Sequence, residues 1–518
     1  MKHTKIIAAA LAGCIAGTAV YAVENTVKLG NTGADTNKFG DINGDGKIDA
    51  ADASDILRYY SYLSTVTGDA MTLDEYLVYG DSGKPQPVTV QPTVSDQQPQ
   101  GGKTTLMNGG DTFTVAAWNG DDVPFLLSNW LDGDMKITAN DDLKGLTTPS
   151  GAKVKFVNMG TAGSYASEEY DRLFASGEDL DVYYCEENWS RKFIDNDERT
   201  APISALGISD SELSDMYHYT IDVGTNSDGV LKGLAFGASP GGFAYRADLA
   251  DEYLGVKTPA EMQELISNWD KFIATAEKLS KEHGIALADS CGGVLNAFYD
   301  MQTVPYYSNG EFNVGTHIKD CYDYLRHLIN CGGVAEYYQW TDEWRQIGAE
   351  GKTMGYFAPV WGGYVILDGA SEGSEGCWAM TEGPSPYIWG GMWTLVNPKT
   401  DNGDDAASFI RSSCINAEKM KNYMKNSPTN TYLANNVSVV EELMASGEVS
   451  KELHSKAFGT STAHIKPLDI NAKTVDRKGL GSIYDDEMKI AIAGELLSGL
   501  RDGKSWEKIE KEILSSVG

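Results

Sequence analysis

From residue 106 to residue 518, runs of β-branched and aromatic residues alternate with runs of helical periodicity. The runs TFTVAAW, AKVKFVNM and LDVYY have the composition of strands. The runs EEYDRLFAS, NWDKFIATAEKLSKEHG and IKDCYDYLRHLIN repeat their apolar residues at helical spacing. Strands that alternate with helices predict an α/β module with at least one mostly parallel sheet. A module of this length exceeds what one sheet and one core usually build, so we expect two lobes.

The stretch 351–398 concentrates large aromatic rings beside glycine pairs. It contains four of the eleven tryptophans, next to Gly-Gly pairs at 362–363 and 390–391. Glycine lets the backbone approach a ligand closely, so rings beside such pairs predict flat faces at loop ends. Burial in the core is an equally good interpretation of each ring, because tryptophan is usually well buried.

Aromatic faces together with planar polar groups are what a binder of pyranose sugars needs. A pyranose ring has apolar C–H faces and a rim of hydroxyl groups, which match aromatic planes and carboxylate or amide edges. For any single carboxylate, a solvated surface position is the commoner alternative. Trp340 and Trp344 are also spaced for one helical face and fit a core equally well. The candidate planes are Trp118, Trp189, Trp340, Trp344, Trp361, Tyr387, Trp389 and Trp393, and the candidate edges are Asn119, Asp121, Asp122, Glu186, Glu187, Asn188 and Glu382.

The net charge of the chain argues against some classes of binding partner. Acidic residues outnumber basic ones by 74 to 42, which gives a formal net charge of −32 at pH 7. Such a charge argues against nucleic acid and anionic membrane surfaces as partners. The sequence has no GxSxG, HExxH or Walker motif, and its seven histidines lack ligand spacing. We therefore expect a protein that is not an enzyme.

The first 22 residues have the features of a secretory signal peptide. Lys2 and Lys5 precede an apolar run over 6–20 that is too short to span a bilayer, and a small-residue cleavage site follows at 20–22. We therefore expect an extracellular or cell-surface protein. The alternative is a lipid anchor on Cys14, because residues 11–14 resemble the acylation motif of bacterial lipoproteins.

Six further cysteines follow Cys14, at positions 185, 291, 321, 331, 377 and 414. An even number in an exported protein permits disulfides, but a module of this size does not need them for stability. Their spacing matches no zinc site, and we expect mostly free, buried thiols.

Residues 41–52, DINGDGKIDAAD, match a calcium-binding loop. Ca²⁺ takes six to eight oxygen ligands, and an acidic turn that binds nothing rarely repeats them at these spacings. Gly46 occupies the position of the sharp turn. Ca²⁺ is therefore the expected cofactor, with ligands from Asp41, Asn43, Asp45, the Lys47 carbonyl, Asp49 and Asp52.

The calcium loop lies in a segment, 39–80, that resembles the second half of a dockerin. The resemblance rests on GDINGDGKIDAADASDILRYYSYLST followed by TLDEYLVYG, and its style is that of ruminococcal cellulosome dockerins. Dockerins seat in cohesin modules of a scaffold protein, so the resemblance implies a cohesin partner. Dockerins carry the segment twice and this chain carries it once, so a calcium-stabilised stub or another surface partner stays open. The stretch 81–105 is rich in Pro, Gln, Ser and Gly and predicts an extended linker.

The order of features in 106–518 resembles the extracellular solute-binding proteins of bacterial ABC sugar importers. The resemblance implies that the acidic residue of the first motif bonds sugar hydroxyls and that the ring after Pro359 stacks on the ligand. It also implies an ABC permease as a partner. The matching segments are WNGD at 118–121, LDVYYCEENW at 180–189, GFAYRADLADEYLGVKTPAEMQELISNWDKFIATAEKL at 242–279, GKTMGYFAPVW at 351–361 and GPSPYIWGGMWTLVNPKT at 383–400.

This resemblance implies two α/β lobes joined by a hinge, the type II periplasmic-binding-protein architecture, with an oligosaccharide held in the cleft. Lobe 1 is expected at 106–238 and 396–430, and lobe 2 at 239–395 and 431–518. The chain is expected to cross between the lobes near 235–240, 393–397 and 427–432. Two other functions stay open: a dockerin-bearing secreted glycoside hydrolase, and a surface protein that captures glycans without a transporter.

Overall fold

Strands in the described part of the chain form two larger sheets and two short pairs. A computed structural model describes residues 104–118, 122–133, 143, 145–160, 164–428, 431–449 and 455–517. The predicted signal peptide, calcium loop, dockerin-like segment and linker as far as residue 103 lie outside the described residues. The strands are β1 Thr112–Ala117, β2 Lys153–Asn158, β3 Val182–Glu186, β4 Gly233–Ala235, β5 Gly237–Ala238, β6 Pro240–Arg246, β7 Ala286–Ala288, β8 Tyr307–Ser308, β9 Glu311–Phe312, β10 Thr353–Pro359, β11 Trp378–Thr381, β12 Tyr387–Ile388, β13 Met392–Val396 and β14 Leu433–Ala434.

Helices cover the larger sheets. The predicted helix over NWDKFIATAEKLSKEHG is confirmed as α7: the Asn268 side chain accepts the Lys271 backbone N–H at its start, and Gly284 ends it at φ 69°. The helices are α1 Val123–Trp130, α2 Ser164–Ser176, α3 Glu187–Ile194, α4 His218–Gly224, α5 Ala247–Leu254, α6 Pro259–Ile266, α7 Trp269–His283, α8 Cys291–Tyr299, α9 Thr316–Cys331, α10 Asp342–Ala349, α11 Asp368–Ala370, α12 Gly403–Ile410, α13 Ala417–Asn426, α14 Val437–Ser446, α15 Ile465–Thr474, α16 Asp485–Arg501 and α17 Trp506–Val517.

The first sheet has the order β2-β1-β3-β13-β4 and defines lobe 1. The three predicted strands TFTVAAW, AKVKFVNM and LDVYY form β1, β2 and β3, which run parallel to one another. β13 is antiparallel to both β3 and β4. β3 is buried along its whole length because helices cover the sheet.

The second sheet has the order β11-β6-β10-β7, with β12 also paired to β6, and defines lobe 2. β10 runs parallel to β7 and antiparallel to β6. α15 packs on β6, and α16 packs on α8, α9 and α17, so the C-terminal helices belong to this lobe; α16 also contacts α3 of lobe 1. Both lobes are therefore α/β layers, and their sheets are joined by crossings of the chain.

The chain leaves lobe 1 after β4 and enters lobe 2 at β6, which is where the crossing near 235–240 was predicted. Between them, β5 pairs with β14 in a short two-stranded sheet. The return crossing differs from the prediction, because β12 is in the second sheet and β13, from Met392, is already in the first. The chain thus returns at 389–391 instead of 393–397, and residues 392–395 lie in lobe 1 rather than lobe 2.

The core contains cysteines as well as apolar residues. All six cysteines of the described residues are free, and Cys185, Cys321 and Cys414 are buried. The expectation of free thiols is confirmed, whereas Cys291, Cys331 and Cys377 are only partly buried. Among the helices of the described ranges, none is both long and apolar enough to cross a membrane.

Candidate functional site

Three tryptophans meet at one edge of the lobe 2 sheet. β7 and β10 run parallel, so their carboxyl ends share an edge, and Trp361 follows the end of β10 by two residues. The Trp361 ring stacks near Trp340, with centroids 6.3 Å apart and planes 17° apart. Trp389 lies edge-on to both rings, at 5.3 Å from Trp361 and 5.9 Å from Trp340. We call Trp340, Trp361 and Trp389 the tryptophan cluster.

One indole N–H of this cluster has a hydrogen-bond acceptor in the protein, and another has none among the described residues. Trp361 Nε1 donates to the Trp389 carbonyl at 2.9 Å, which fixes one ring against the backbone of the other. Trp340 Nε1 and the neighbouring Gln339 Nε2 are buried but find no acceptor among the described residues. Buried donors normally have a partner, so these two are available to acceptor oxygens of a ligand.

The backbone of Trp340 is in an unfavourable conformation. Its φ is 75°, in the left-handed region that large side chains rarely adopt. Holding a residue in this region costs about 1–3 kcal/mol. Residues in such conformations are concentrated at ligand clamps and active sites. Trp340 precedes α10 instead of lying on one helical face with Trp344, because Thr341 caps that helix. The helical spacing of these two tryptophans was therefore the wrong interpretation.

Glu186, at the end of β3 in lobe 1, approaches this cluster. A Cβ placed on Gly390 would lie 3.5 Å from Glu186 Oε1 and 3.8 Å from Trp361 Nε1. Gly390, at φ 69°, thus lets a lobe 1 carboxylate and a lobe 2 indole approach the same point. Glu186 is 6 % exposed. Burial, with the like charges of Asp486 and Glu187, raises its pKa to about 8.

We expect Glu186→Gln to flatten the pH dependence of stability. The native carboxyl ionises near pH 8 and the unfolded one near its ordinary pKa of 4.5, so the native state binds more protons in between. The wild type should therefore lose stability as pH rises from about 4.5 to 8, by roughly 2–4 kcal/mol in all. Urea unfolding at pH 5 and pH 9 measures the difference. The exposed Glu264→Gln is the control, and equal pH profiles for all three proteins would contradict the raised pKa.

Trp118 is at the end of β1, on the same edge of lobe 1 as Glu186. It is 9 % exposed, and its Nε1 finds no acceptor among the described residues. Asn119 and Asp121 lie outside the described residues. Asp122 is buried, and its carboxylate accepts hydrogen bonds from Tyr423 Oη at 2.9 Å and Thr431 Oγ1 at 2.8 Å. These bonds engage both carboxylate oxygens of Asp122, so we assign it a structural role.

Four other sequence candidates are engaged in the core or in ion pairs. Trp189 packs against Tyr170 and Phe193 inside lobe 1. Tyr387 is fully buried, and its Oη donates to the Gly242 carbonyl at 3.0 Å. Trp393 is 1 % exposed, and its Nε1 donates to the Thr220 carbonyl at 2.8 Å. Glu187 is ion-paired with Arg477 and Lys489. These positions fit the core and an ion-pair network better than ligand binding.

Two residues near the cluster, Asp289 and Gln339, were not predicted from the sequence. Asp289, at the end of β7, is fully buried, and its Oδ2 accepts the Trp344 Nε1–H at 2.8 Å. Burial raises the pKa of Asp289 to about 6. Gln339 packs on Gly292, because a Cβ there would be 2.4 Å from its Oε1. The position of Asp289 directly after a strand was a usable signal, whereas nothing in the sequence distinguished Gln339.

A cavity of about 620 Å³ lies elsewhere in lobe 1, lined in part by Trp130, Ser408 and Ser412. The Trp130 ring contacts Phe113, near the start of β1, with centroids 5.4 Å apart. This cavity therefore lies toward the amino end of β1, while Trp118 lies at the carboxyl end. Ligands of open α/β sheets bind at carboxyl ends, so we place the candidate site at the cluster and Glu186.

Two α/β lobes linked by crossing strands, with aromatic faces from one and a carboxylate from the other at strand ends, define a two-lobe binding protein. The chain belongs to the bacterial extracellular solute-binding protein family, whose sequence profile matches residues 143–454, more than half of the chain. This family membership was predicted from the order of motifs and is confirmed.

Solved structures show the same fold. An extracellular solute-binding protein of family 1 superposes with a TM-score of 0.65 at 19 % identity, covering 79 % of this chain and 100 % of its own. The cyclic α-maltosyl-1,6-maltose binding protein from Arthrobacter globiformis has a TM-score of 0.57 at 15 % identity, covering 79 % and 98 %. The galacto-N-biose/lacto-N-biose I-binding protein of an ABC transporter from Bifidobacterium longum has 0.57 at 12 %, covering 79 % and 97 %. No curated protein matches the chain in sequence.

Proposed function

We propose that the protein captures an oligosaccharide between its two lobes and delivers it to an ABC-type importer. The observation that carries this proposal is the meeting of the tryptophan cluster of lobe 2 with Glu186 of lobe 1. Indole faces suit the C–H faces of a sugar ring, and a carboxyl group suits its hydroxyl rim. At neutral pH a Glu186 that keeps its proton both donates and accepts a hydrogen bond, which suits a neutral hydroxyl.

Binding would favour the shut arrangement of the lobes. The sugar meets the cluster and Glu186 together only when the lobes are close, so ligand shifts the population toward that state. Micromolar affinity requires about 8 kcal/mol net. Stacking on an indole, with hydrogen bonds to Glu186, Gln339 Nε2 and Trp340 Nε1, supplies contacts of the kind this requires.

The structural relatives support a sugar as the ligand class. The Arthrobacter globiformis protein binds a cyclic maltosyl-maltose, and the Bifidobacterium longum protein was solved with lacto-N-biose. Both ligands are neutral oligosaccharides. The net charge of −32 also favours a ligand without negative charge.

Calorimetry against a panel of neutral oligosaccharides of different linkage and length tests the proposal. We expect one-site binding by at least one of them. The same samples should then be assayed for new reducing ends. Turnover would indicate a glycoside hydrolase, whose two carboxylates flank the scissile bond. Absence of binding across the panel would contradict the proposed ligand class.

The predicted calcium loop gives this protein a proposed point of attachment, through the dockerin-like segment, to a cohesin or another surface partner. Ca²⁺ titration of the full, chelator-treated chain should show a site that Asp41→Ala with Asp45→Ala weakens at least about tenfold, because each carboxylate is a ligand. Asp69→Ala, outside the loop, is the control. Equal calcium affinity in all three proteins would contradict the loop assignment.

A further inference from the structure

A buried network of four charged side chains joins the two lobes. Glu187 Oε1 lies 2.9 Å from Arg477 Nη2, and Glu187 Oε2 lies 2.7 Å from Lys489 Nζ. Arg477 also pairs with Asp300, with 2.9 Å between Nη1 and Oδ1. The exposed fraction is 4 % for Glu187, 3 % for Asp300, 2 % for Arg477 and 12 % for Lys489. Solvent ions therefore screen these pairs only weakly.

The members of the network belong to opposite lobes. Glu187 is the first residue of α3, which follows β3 of lobe 1 directly. Asp300 follows α8 of lobe 2, and its Oδ2 accepts the Ile388 backbone N–H of β12 at 2.6 Å. Lys489 lies in α16, which is tied to α8 by a 3.1 Å hydrogen bond from Tyr299 Oη to the Lys489 carbonyl. Arg477 follows α15, which packs on β6 of lobe 2. Both ion pairs that include Glu187 therefore cross from lobe 1 to lobe 2.

The carboxylates and cations of the network compensate one another only while the lobes are together. Glu187 and Asp300 pair with Arg477 and Lys489, and the buried Asp485 carboxylate is close enough to both cations to interact with them. Separation of the lobes would take Glu187 away from Arg477 and Lys489. Loss of one partner inside a buried network leaves another charge unpaired, which is strongly unfavourable.

We propose that Glu187, Asp300, Arg477 and Lys489 form an interlobe latch, which holds the lobes together before any ligand binds. Arg477 is its centre because it pairs with a carboxylate of each lobe. It is a positioning residue: it sets the fraction of molecules in which the tryptophan cluster and Glu186 face each other. The latch does not depend on the identity of the ligand.

Small-angle scattering and hydrogen exchange of the full, ligand-free chain test the latch. Arg477→Met leaves Glu187 and Asp300 with one cation, so the shut state becomes unfavourable. We expect a larger radius of gyration than in the wild type and about tenfold faster exchange of the amides in the first turn of α3. The fourfold neutral variant E187Q/D300N/R477M/K489M lacks all of these ion pairs, so both values should exceed those of the wild type in this variant too. Arg411→Met, which breaks the 2.9 Å ion pair with Glu212 inside lobe 1, should leave them unchanged.

Three outcomes of these measurements would contradict the latch. Wild-type scattering and exchange in Arg477→Met would overturn it, as would opening of the Arg411→Met control or a fourfold variant that stays as shut as the wild type. If Arg477→Met loses its near-ultraviolet circular dichroism, the milder Lys489→Met replaces it in the same comparison. Because no sugar is added, failure of the latch is separate from failure of the proposed ligand.

Discussion

Trp361→Ala is expected to weaken oligosaccharide binding by about 10- to 100-fold, which is roughly 1.4–3 kcal/mol of binding free energy. The indole follows β10 at the sheet edge, is half-buried, and stacks near Trp340. Its removal takes away an apolar face on which a sugar ring would rest, and also the 2.9 Å hydrogen bond to the Trp389 carbonyl. Titration calorimetry with the tightest-binding oligosaccharide of the panel measures the loss.

Trp361→Phe is the matched control for this loss. It keeps an aromatic face but removes the indole N–H, so we expect an affinity between those of the wild type and Trp361→Ala. Urea unfolding of both variants separates loss of binding from loss of folding. Wild-type affinity in a folded Trp361→Ala protein would place the ligand away from the tryptophan cluster.

Trp393→Ala is expected to lower the free energy of unfolding by about 3–5 kcal/mol. The ring lies in β13, where Trp393 is opposite Cys185 of β3 and Ala235 of β4. It is 1 % exposed, so its removal opens a cavity between packed layers and leaves the Thr220 carbonyl without its donor. Urea denaturation followed by circular dichroism measures the change.

The affinity of the folded protein for sugar should change little in this variant, in contrast to Trp361→Ala. Trp393→Phe, which loses the N–H and part of the ring volume, should cost less than Trp393→Ala, about 1–3 kcal/mol. A Trp393→Ala protein with wild-type stability but no sugar binding would contradict the core position of this ring.

Trp361 and Trp393 show which features of the site can be predicted from the local sequence and which cannot. Both rings are within two residues of a Gly-Gly pair, and the sequence assigned them the same role. They differ because β13 joins the middle of the lobe 1 sheet, whereas Trp361 follows β10 at the edge where strands end. Pairing between strands that are far apart in the sequence decides which ring is covered, and the residues around each ring do not indicate this pairing.

The sequence by itself determined the alternation of strands and helices, the division into two lobes and the family, because these depend on local periodicity and on the order of motifs. Only the tertiary structure decided which candidates meet. It brought Glu186 to Trp361 across the lobes, buried Trp189, Tyr387 and Trp393, and paired Glu187 with Arg477. The reason is physical. A carboxylate or an indole has the same chemical type in the core and in a binding site, and its role depends on its burial and on partners hundreds of residues away.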